Sequence, residues 1–327
     1  MAQLTYREAI AQAIIEEMAR DPRVILLGED VGKFGGAMAA TKGVYDAFGQ
    51  ERVIDTPISE AAIIGAGLGA ALTGMRPVVE IMFIDFTACC MDQIANQVAK
   101  ARYMLGGQVT VPLVIRTQGG AGKSYAAQHS QSLESWFAHV PGLKVVAPAT
   151  PAAAKGLLKA AIRIDDPVLF IEHKLLYAEK GDVPDSSEYV LPIGQAEVVR
   201  TGKDVTVAAY SRQLVFALEA AELLADKGCD CEVLDLRTLS PLDMAAVLES
   251  LEKTGRLVVV EEGSRSFGVG AEVSARVMEE GFDLLEAPVT RVAALDTPIP
   301  FAPVLEGAVI PNRDTIAAAV ESMFVKG

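Results

Sequence analysis

Glu60 and His129 are the two side chains in this sequence whose settings best suit proton transfer. Glu60 stands in DTPISEAAIIGAGLGAAL, where an apolar run follows it and no Lys or Arg compensates it over the next ten residues. As a solvated acid at a helix start it would only complement the helix dipole. As a partly buried carboxyl it would hold its proton to higher pH, which a proton donor requires. His129 is one of three histidines and lies in AAQHSQS, on a loop that follows a predicted strand. Loops at strand ends carry much of the chemistry of α/β proteins, and imidazole exchanges protons near neutral pH. No G-x-S-x-G elbow accompanies it, so a serine triad is not indicated.

Two glycine-rich stretches imitate nucleotide sites. Residues 65–70 read G-x-G-x-x-A, with Asp85 downstream where a ribose-binding acid would lie. The residues before them, DTPISEAAII, resemble a helix start rather than a buried strand. The glycines are therefore better read as permitting close helix packing. Residues 119–124, GGAGKS, lack the first glycine of a phosphate loop, because position 117 is Thr. Cys89, Cys90, Cys229 and Cys231 have no structural-zinc spacing and read as small buried residues of a reducing compartment.

Two successive α/β series must position these candidates. Thr5 and Glu8 form a T-x-x-E capping box, and Ile10, Ala13, Ile14 and Met18 continue at helical spacing until Pro22. Short apolar runs predict strands at 24–27, 78–82, 113–116, 144–146 and 168–171. Between them, helices are predicted near 61–72, 87–103, 133–138 and 152–162. The polar stretch 178–203 reads as a linker. A second series follows, with strands at 205–210, 231–236, 257–260 and 291–295 and helices at 214–227, 245–252, 271–280 and 315–324. The fold class is α/β, with two mostly parallel sheets in domains 1–177 and 204–327.

The 327 residues fit two domains. Lys plus Arg number 29 against 43 Asp plus Glu, a net charge of −14, which argues against a nucleic-acid partner. No apolar run reaches the roughly 20 residues of a membrane helix. The start, MAQLTYREAI, has no signal-peptide pattern, and the expectation is a cytoplasmic protein.

Three segments carry a resemblance. RVIDTPISEAAIIGAGLGAALTGMRPVVEIMFIDF, AAQHSQSLESWFAHVPGLKVVAPATPAAAKGLLKAAI and EVLDLRTLSPLD with its following KTGRLVVVEE resemble the beta subunit of thiamine-diphosphate-dependent 2-oxo acid dehydrogenases. That subunit belongs to the decarboxylating component of the pyruvate, acetoin and branched-chain complexes. The likeness runs in order over nearly the whole chain. It implies a transketolase-like fold, with a pyrimidine-binding domain at 1–177 and a transketolase C-terminal domain at 204–327.

The resemblance also implies roles for single residues. Glu60 matches the glutamate that hydrogen-bonds a ring nitrogen of the cofactor's aminopyrimidine. Sharing a proton there favours the imino form, which can take the proton from the thiazolium carbon. Met82 and Phe86 match positions lining the pyrimidine pocket, and His129 matches the histidine near the reacting carbons. A potassium ion would be held by the backbone carbonyls of Leu113, Ala161, Ile162, Ile164 and Asp166. Position 164 is Ile here, where the family often has an acid. Carbonyl ligation does not depend on that side chain.

The G-D-G motif that holds the diphosphate through Mg²⁺ does not occur in this sequence. The resemblance therefore implies that an alpha subunit supplies the Mg²⁺ half of the thiamine diphosphate site. The expected assembly has two alpha and two beta chains and passes its acyl group to the lipoyl carrier of a dihydrolipoyl acyltransferase. The substrate is expected to be a small 2-oxo acid of the pyruvate type, or acetoin. AAQHSQ is common to both types, and IEHKLLY leans towards acetoin or a broad pyruvate-like type. Gln128 stands where the branched-chain type more often has Tyr, and the branched-chain reading stays as an alternative. An NAD-binding oxidoreductase using residues 65–70 is the alternative from another class. A stand-alone transketolase-like synthase is disfavoured by the missing motif.

Overall fold

The computed structural model describes residues 1–324, which fall into two compact units. The first comprises Met1–Gly119 and Trp136–Ile193; the second comprises Gly120–Ser135 and the chain from Gly194 onward.

The first unit opens with β1 (Ala2–Thr5), α1 (Tyr6–Arg20), β2 (Val24–Gly28), α2 (Val44–Phe48), β3 (Val53–Asp55), α3 (Glu60–Leu72) and β4 (Arg76–Ile81). A 3₁₀ segment at Ile84–Cys90, a π-helical segment at Gln93–Val98, α4 (Ala101–Met104) and β5 (Val114–Gly119) follow. The chain returns to this unit within α5 (Glu134–Ala138) and continues through β6 (Lys144–Val146), α6 (Pro151–Arg163), β7 (Val168–His173) and β8 (Lys180–Val183). Strands β6, β7, β5, β4, β2 and β3 hydrogen-bond side by side in that order, all parallel. Every residue of β2, β4, β5 and β7 is buried, as strands covered on both faces must be.

Local chemistry accounts for most of these elements. The Thr5–Glu8 capping box starts α1, whose apolar face carries Ile10, Ala13, Ile14 and Met18. Helix α1 packs on α6, where the buried Lys155 and Lys159 meet Glu16 at 2.8 and 2.5 Å and Arg163 meets Glu17 at 2.7 Å. The single helix predicted for 87–103 is instead a 3₁₀ turn, a π turn and a short α-helix. Thr87 Oγ1 donates to the Ile84 carbonyl, and Cys90 Sγ lies 3.5 Å from the Thr87 carbonyl. Such side-chain bonds compete with the α-helical ladder and tighten or widen the turn. Residues 178–203, read as a linker, carry two strands. One is β8, which pairs antiparallel with β1, Ala2 opposite Val183.

The glycines of 65–70 lie inside α3, past its first turn, and not in a strand-to-helix loop. A Cβ on Gly67 would stand 2.7 Å from Val79 Cγ1 and 3.1 Å from Leu113 Cδ1. That glycine lets α3 press onto β4, so close packing is its role and the dinucleotide fingerprint is not supported.

The second unit contains β9 (Glu197–Arg200), β10 (Val205–Ala209), α7 (Arg212–Ala225), β11 (Cys231–Asp235), β12 (Thr238–Ser240), α8 (Met244–Thr254), β13 (Leu257–Ser264), α9 (Val269–Glu280), β14 (Thr290–Ala294), α10 (Pro303–Val309) and α11 (Arg313–Ser322). Its sheet runs β14-β13-β10-β11-β9, parallel except for β9 at the edge. Strand β9 is the second strand of the supposed linker. Among the described residues, no helix is long and apolar enough to cross a membrane.

A buried ion network crosses the middle of the first sheet. Arg116 on β5 donates to Glu172 on β7 through Nε and Nη2, at 2.7 and 2.9 Å, and to Glu80 on β4 through Nη1 at 2.7 Å. Tyr177 Oη donates to Glu172 at 2.7 Å. All three charged side chains are about fully buried. Arg116→Met strands two buried carboxylates and should cost about 3–5 kcal/mol of stability. The drop in the urea midpoint at unchanged m-value measures it, and a shift equivalent to less than about 1 kcal/mol would contradict the reading.

Candidate active site

The carboxyl-bearing end of the first sheet is built from three elements. Strand β2 delivers Glu29 immediately after its last residue, α3 begins at Glu60, and the 3₁₀ segment packs against α3. Burial raises the Glu29 pKa, and the negative neighbours Asp30 and Glu60 add to it. The Cys90 thiol is pushed up to about 12 by burial first and by Glu60 next. The field of Glu60 thus reaches both the end of β2 and the 3₁₀ segment. Glu60 itself is half-buried in the first turn of α3.

Apolar surface lies on the strand-to-turn connection after β4. Met82, Phe83 and Phe86 are half-buried there. Phe83 takes the left-handed conformation, φ 59°, and its ring meets that of Phe86 edge-on at 6.1 Å. Lys174 Nζ sits 5.2 Å from the Phe83 ring centroid, a cation–π distance. Partly exposed aromatic side chains near a segment that packs on the helix headed by Glu60 suit a planar ring with a nitrogen to be hydrogen-bonded.

The glycine-rich loop after β2 is held by two more acids. Asp55 accepts from the Gly32 N–H at 2.6 Å, and Glu80 accepts from the Ala37 N–H at 2.8 Å. Gly36 has φ +73°, and a Cβ there would lie 2.9 Å from the Glu80 carboxylate. Glu29, Glu80 and Arg116 escape motif reasoning. Their only sequence signal is a charge breaking or ending an otherwise apolar strand run.

His129 belongs to the second unit, half-buried on the segment Gly120–Ser135. Glu60, Met82 and Phe86 belong to the first. The segment turns sharply, with positive φ at Gly120, Gly122, Ser124 and Ala126, and the Gly120 N–H closes it on the Gln131 carbonyl at 2.9 Å. Successive glutamates on β13 face opposite sides of the sheet. Glu261 accepts from the Val269 and Gly270 N–H groups at the start of α9, at 2.7 and 2.9 Å. A Cβ on Gly268 would lie 2.5 Å from that carboxylate, so the glycines of FGVG make room for the cap. Burial lifts the Glu261 pKa to about 7 and that of Glu134 to about 8, the latter helped by Glu262 and Glu261.

Two of the expected potassium ligands, the Ile162 and Ile164 carbonyls, meet a cation that the chain itself supplies. Buried Arg76 donates through Nε to the Ile162 carbonyl at 2.7 Å, through Nη2 to the Ile164 carbonyl, and through Nη1 to Asp165 at 2.9 Å. The Leu113 carbonyl accepts from the Val168 N–H at 2.9 Å. The guanidinium thus donates one hydrogen bond to each of two of the five expected carbonyls, Ile162 and Ile164. The side chain of Asp166 pairs instead with Arg102 at 2.6 Å. Among the described residues, no group of three or more His, Cys, Asp or Glu could hold a metal ion. The four cysteines are all unbridged.

The sequence profile described as the pyrimidine binding domain of transketolase matches residues 2–180, and that of the transketolase C-terminal domain matches 194–316. The chain belongs to the transketolase-like family of E1 beta subunits. It is 50% identical, over 99% of its length and 98% of the relative's, to the acetoin:2,6-dichlorophenolindophenol oxidoreductase beta subunit of Cupriavidus necator. It is 47% identical to the pyruvate dehydrogenase E1 beta subunit of Rhizobium meliloti, covering all of this chain and 71% of that one. A solved structure titled split gene transketolase, an inactive beta4 tetramer, superimposes with a TM-score of 0.80 at 26% identity, over 98% of each chain.

Raised carboxyl pKa values in the second unit set a direction for its pH dependence. Glu134 is protonated in the fold up to about pH 8 but ionises at an ordinary carboxyl pKa when unfolded. Between those values the native state holds more protons, so its stabilising share is full at low pH and falls as pH rises through the folded pKa. Glu134→Gln should remove that dependence. Its melting temperature should gain on wild type as pH rises from about 5 to 9, and a constant difference over that window would contradict the assignment.

Proposed function

We propose that this chain works as the beta half of a thiamine-diphosphate-dependent E1 enzyme that cleaves pyruvate-type 2-oxo acids or acetoin. The observation that carries the reading is the half-buried Glu60 at the head of α3, whose charge reaches Glu29 and whose helix packs against the 3₁₀ segment bearing Phe86. When bound, thiamine diphosphate supplies a nucleophilic carbon and an electron sink for cleaving the bond beside a carbonyl. Glu60 would hold or release a proton at a ring nitrogen of the aminopyrimidine. Met82 and Phe86 would keep water from one face of the ring. His129 would donate or accept a proton near the reacting substrate carbonyl or the arriving lipoyl group.

An alpha chain would provide the Mg²⁺ and diphosphate half-site. Two features support such a partner: the absence of G-D-G from the sequence and the uncovered face of α3. Ala62, Gly65, Ala66 and Gly69 are exposed on that face, and Cβ atoms on Gly65 and Gly69 would meet nothing. Small residues of this kind let a neighbouring helix approach closely. The acyl acceptor would be the lipoyl carrier of an acyltransferase. The alternative for substrate is a branched-chain 2-oxo acid, disfavoured by Gln128.

The Glu60→Gln chain, co-assembled with its alpha partner, should retain the assembly and lose about 10²–10⁴ in proton exchange at the thiazolium carbon. Exchange at the wild-type rate would remove Glu60 from the role. His129→Ala should leave cofactor affinity unchanged and lower decarboxylation with an artificial oxidant or acylation of the carrier. If all three stay within about twofold of wild type, under ~0.5 kcal/mol, His129 is structural. The purified beta chain alone should be inactive, and full turnover without a partner would overturn the half-site reading.

A further inference from the structure

Two buried carboxylates in the second unit reach the loop that carries His129 without contributing any residue to it. Glu306, on α10, accepts from the Gly122 N–H through Oε1 at 2.7 Å and from the Ser124 N–H through Oε2 at 3.1 Å. Glu262, on β13, accepts from the Ala121 N–H at 2.6 Å and approaches Ser132 Oγ at 3.5 Å. Gln213 Nε2 donates to the other oxygen of Glu262 at 3.3 Å. Glu306 is 3% exposed and Glu262 8% exposed, so both bonds work where water competes least.

The loop needs such restraints. Between the end of β5 and His129 it uses left-handed backbone at Gly120, Gly122, Ser124 and Ala126, and two of those four carry side chains. Left-handed non-glycine residues cost of order 1–3 kcal/mol each and persist only where the surroundings fix them. No strand ladder or helix cap within the loop fixes residues 121–124 themselves. The N–H groups of Ala121, Gly122 and Ser124 point at two glutamates from distant parts of the chain. A carboxylate accepting N–H groups makes bonds roughly twice as strong as neutral ones. Three backbone N–H groups are thereby fixed five to eight residues before the imidazole.

We propose that Glu306 and Glu262 are positioning residues that act through the loop backbone to fix where His129 presents its imidazole. The inference rests on the reading of His129 given under Proposed function. Neither glutamate touches substrate or cofactor in this account. Their effect is on the geometry of a group that does, where a displacement near 1 Å costs about 10²-fold in rate.

The test uses the assembled alpha–beta enzyme with Glu306→Gln, which keeps the shape but sets an amide NH₂ against one of the two N–H donors. Turnover with the lipoyl carrier should fall at least about tenfold, with KM for the 2-oxo acid and cofactor affinity within twofold of wild type. In the His129→Ala background the same substitution should cost nothing further, because the group it positions is gone. Turnover within twofold of wild type would overturn the proposal. So would losses that multiply in the double variant, since the glutamate would then act independently of His129. If Glu306→Gln does not assemble, Glu262→Gln decides by the same criteria, and failure of both to assemble assigns the glutamates to folding and overturns the positioning role. A silent His129→Ala defeats the parent reading and this one together. A deep His129→Ala loss with silent glutamate variants defeats this one alone.

Discussion

Arg116 is the charge on which the first unit is organised. Its guanidinium lies between Glu80 and Glu172 on the two flanking strands, and all three are withdrawn from water. Burying such ions is costly unless each finds partners for its remaining donors and acceptors. Here the geometry supplies them. Glu172 takes both a bidentate pair and the Tyr177 hydroxyl, and Glu80 uses its free oxygen for the Ala37 N–H. Burial pushes the Glu80 pKa up while Arg116 draws it down. The network therefore joins the centre of the sheet by a hydrogen bond to the glycine-rich loop that follows β2.

The second unit solves the same problem without a buried arginine. Glu261, Glu262 and Glu306 compensate their burial with backbone N–H donors at a helix start and along a loop. Glu134 has little of that compensation, and its carboxyl stays protonated to about pH 8. Backbone amides cannot titrate, so loops held in this way keep their shape across the range in which the carboxylates remain ionised. The glycines at 36 and 268 belong to this arrangement, because a Cβ at either would occupy the space taken by a carboxylate.

Family membership and site geometry bear on different questions. The match over both domains fixes the architecture and the class of enzyme subunit. What the individual side chains of this chain can do follows from their surroundings. Glu60 has an acidic neighbour, His129 has a tightly turned loop, and the Ile162 and Ile164 carbonyls have a guanidinium.

By itself the sequence determined the elements whose causes are local. The Thr5–Glu8 box, the apolar runs of β2 and of Val168–Ile171 in β7, and the polar break before the second α/β series are all written in neighbouring residues. It also marked Glu60 and His129, because an uncompensated acid before an apolar run and a rare histidine after a glycine-rich turn are visible in one dimension. Only the tertiary structure decided what depends on long-range pairing. It broke the helix predicted at 87–103 into 3₁₀ and π turns and drew strands from the supposed linker, one onto β1 and one onto the second sheet. It also gave residues 120–135 to the second unit and set Arg76 against the Ile162 and Ile164 carbonyls. Glu306 lies far along the chain from the N–H groups it holds. The energy of a hydrogen bond depends on distances of about 3 Å in space and is indifferent to separation in sequence, so no pattern of neighbours could announce that contact.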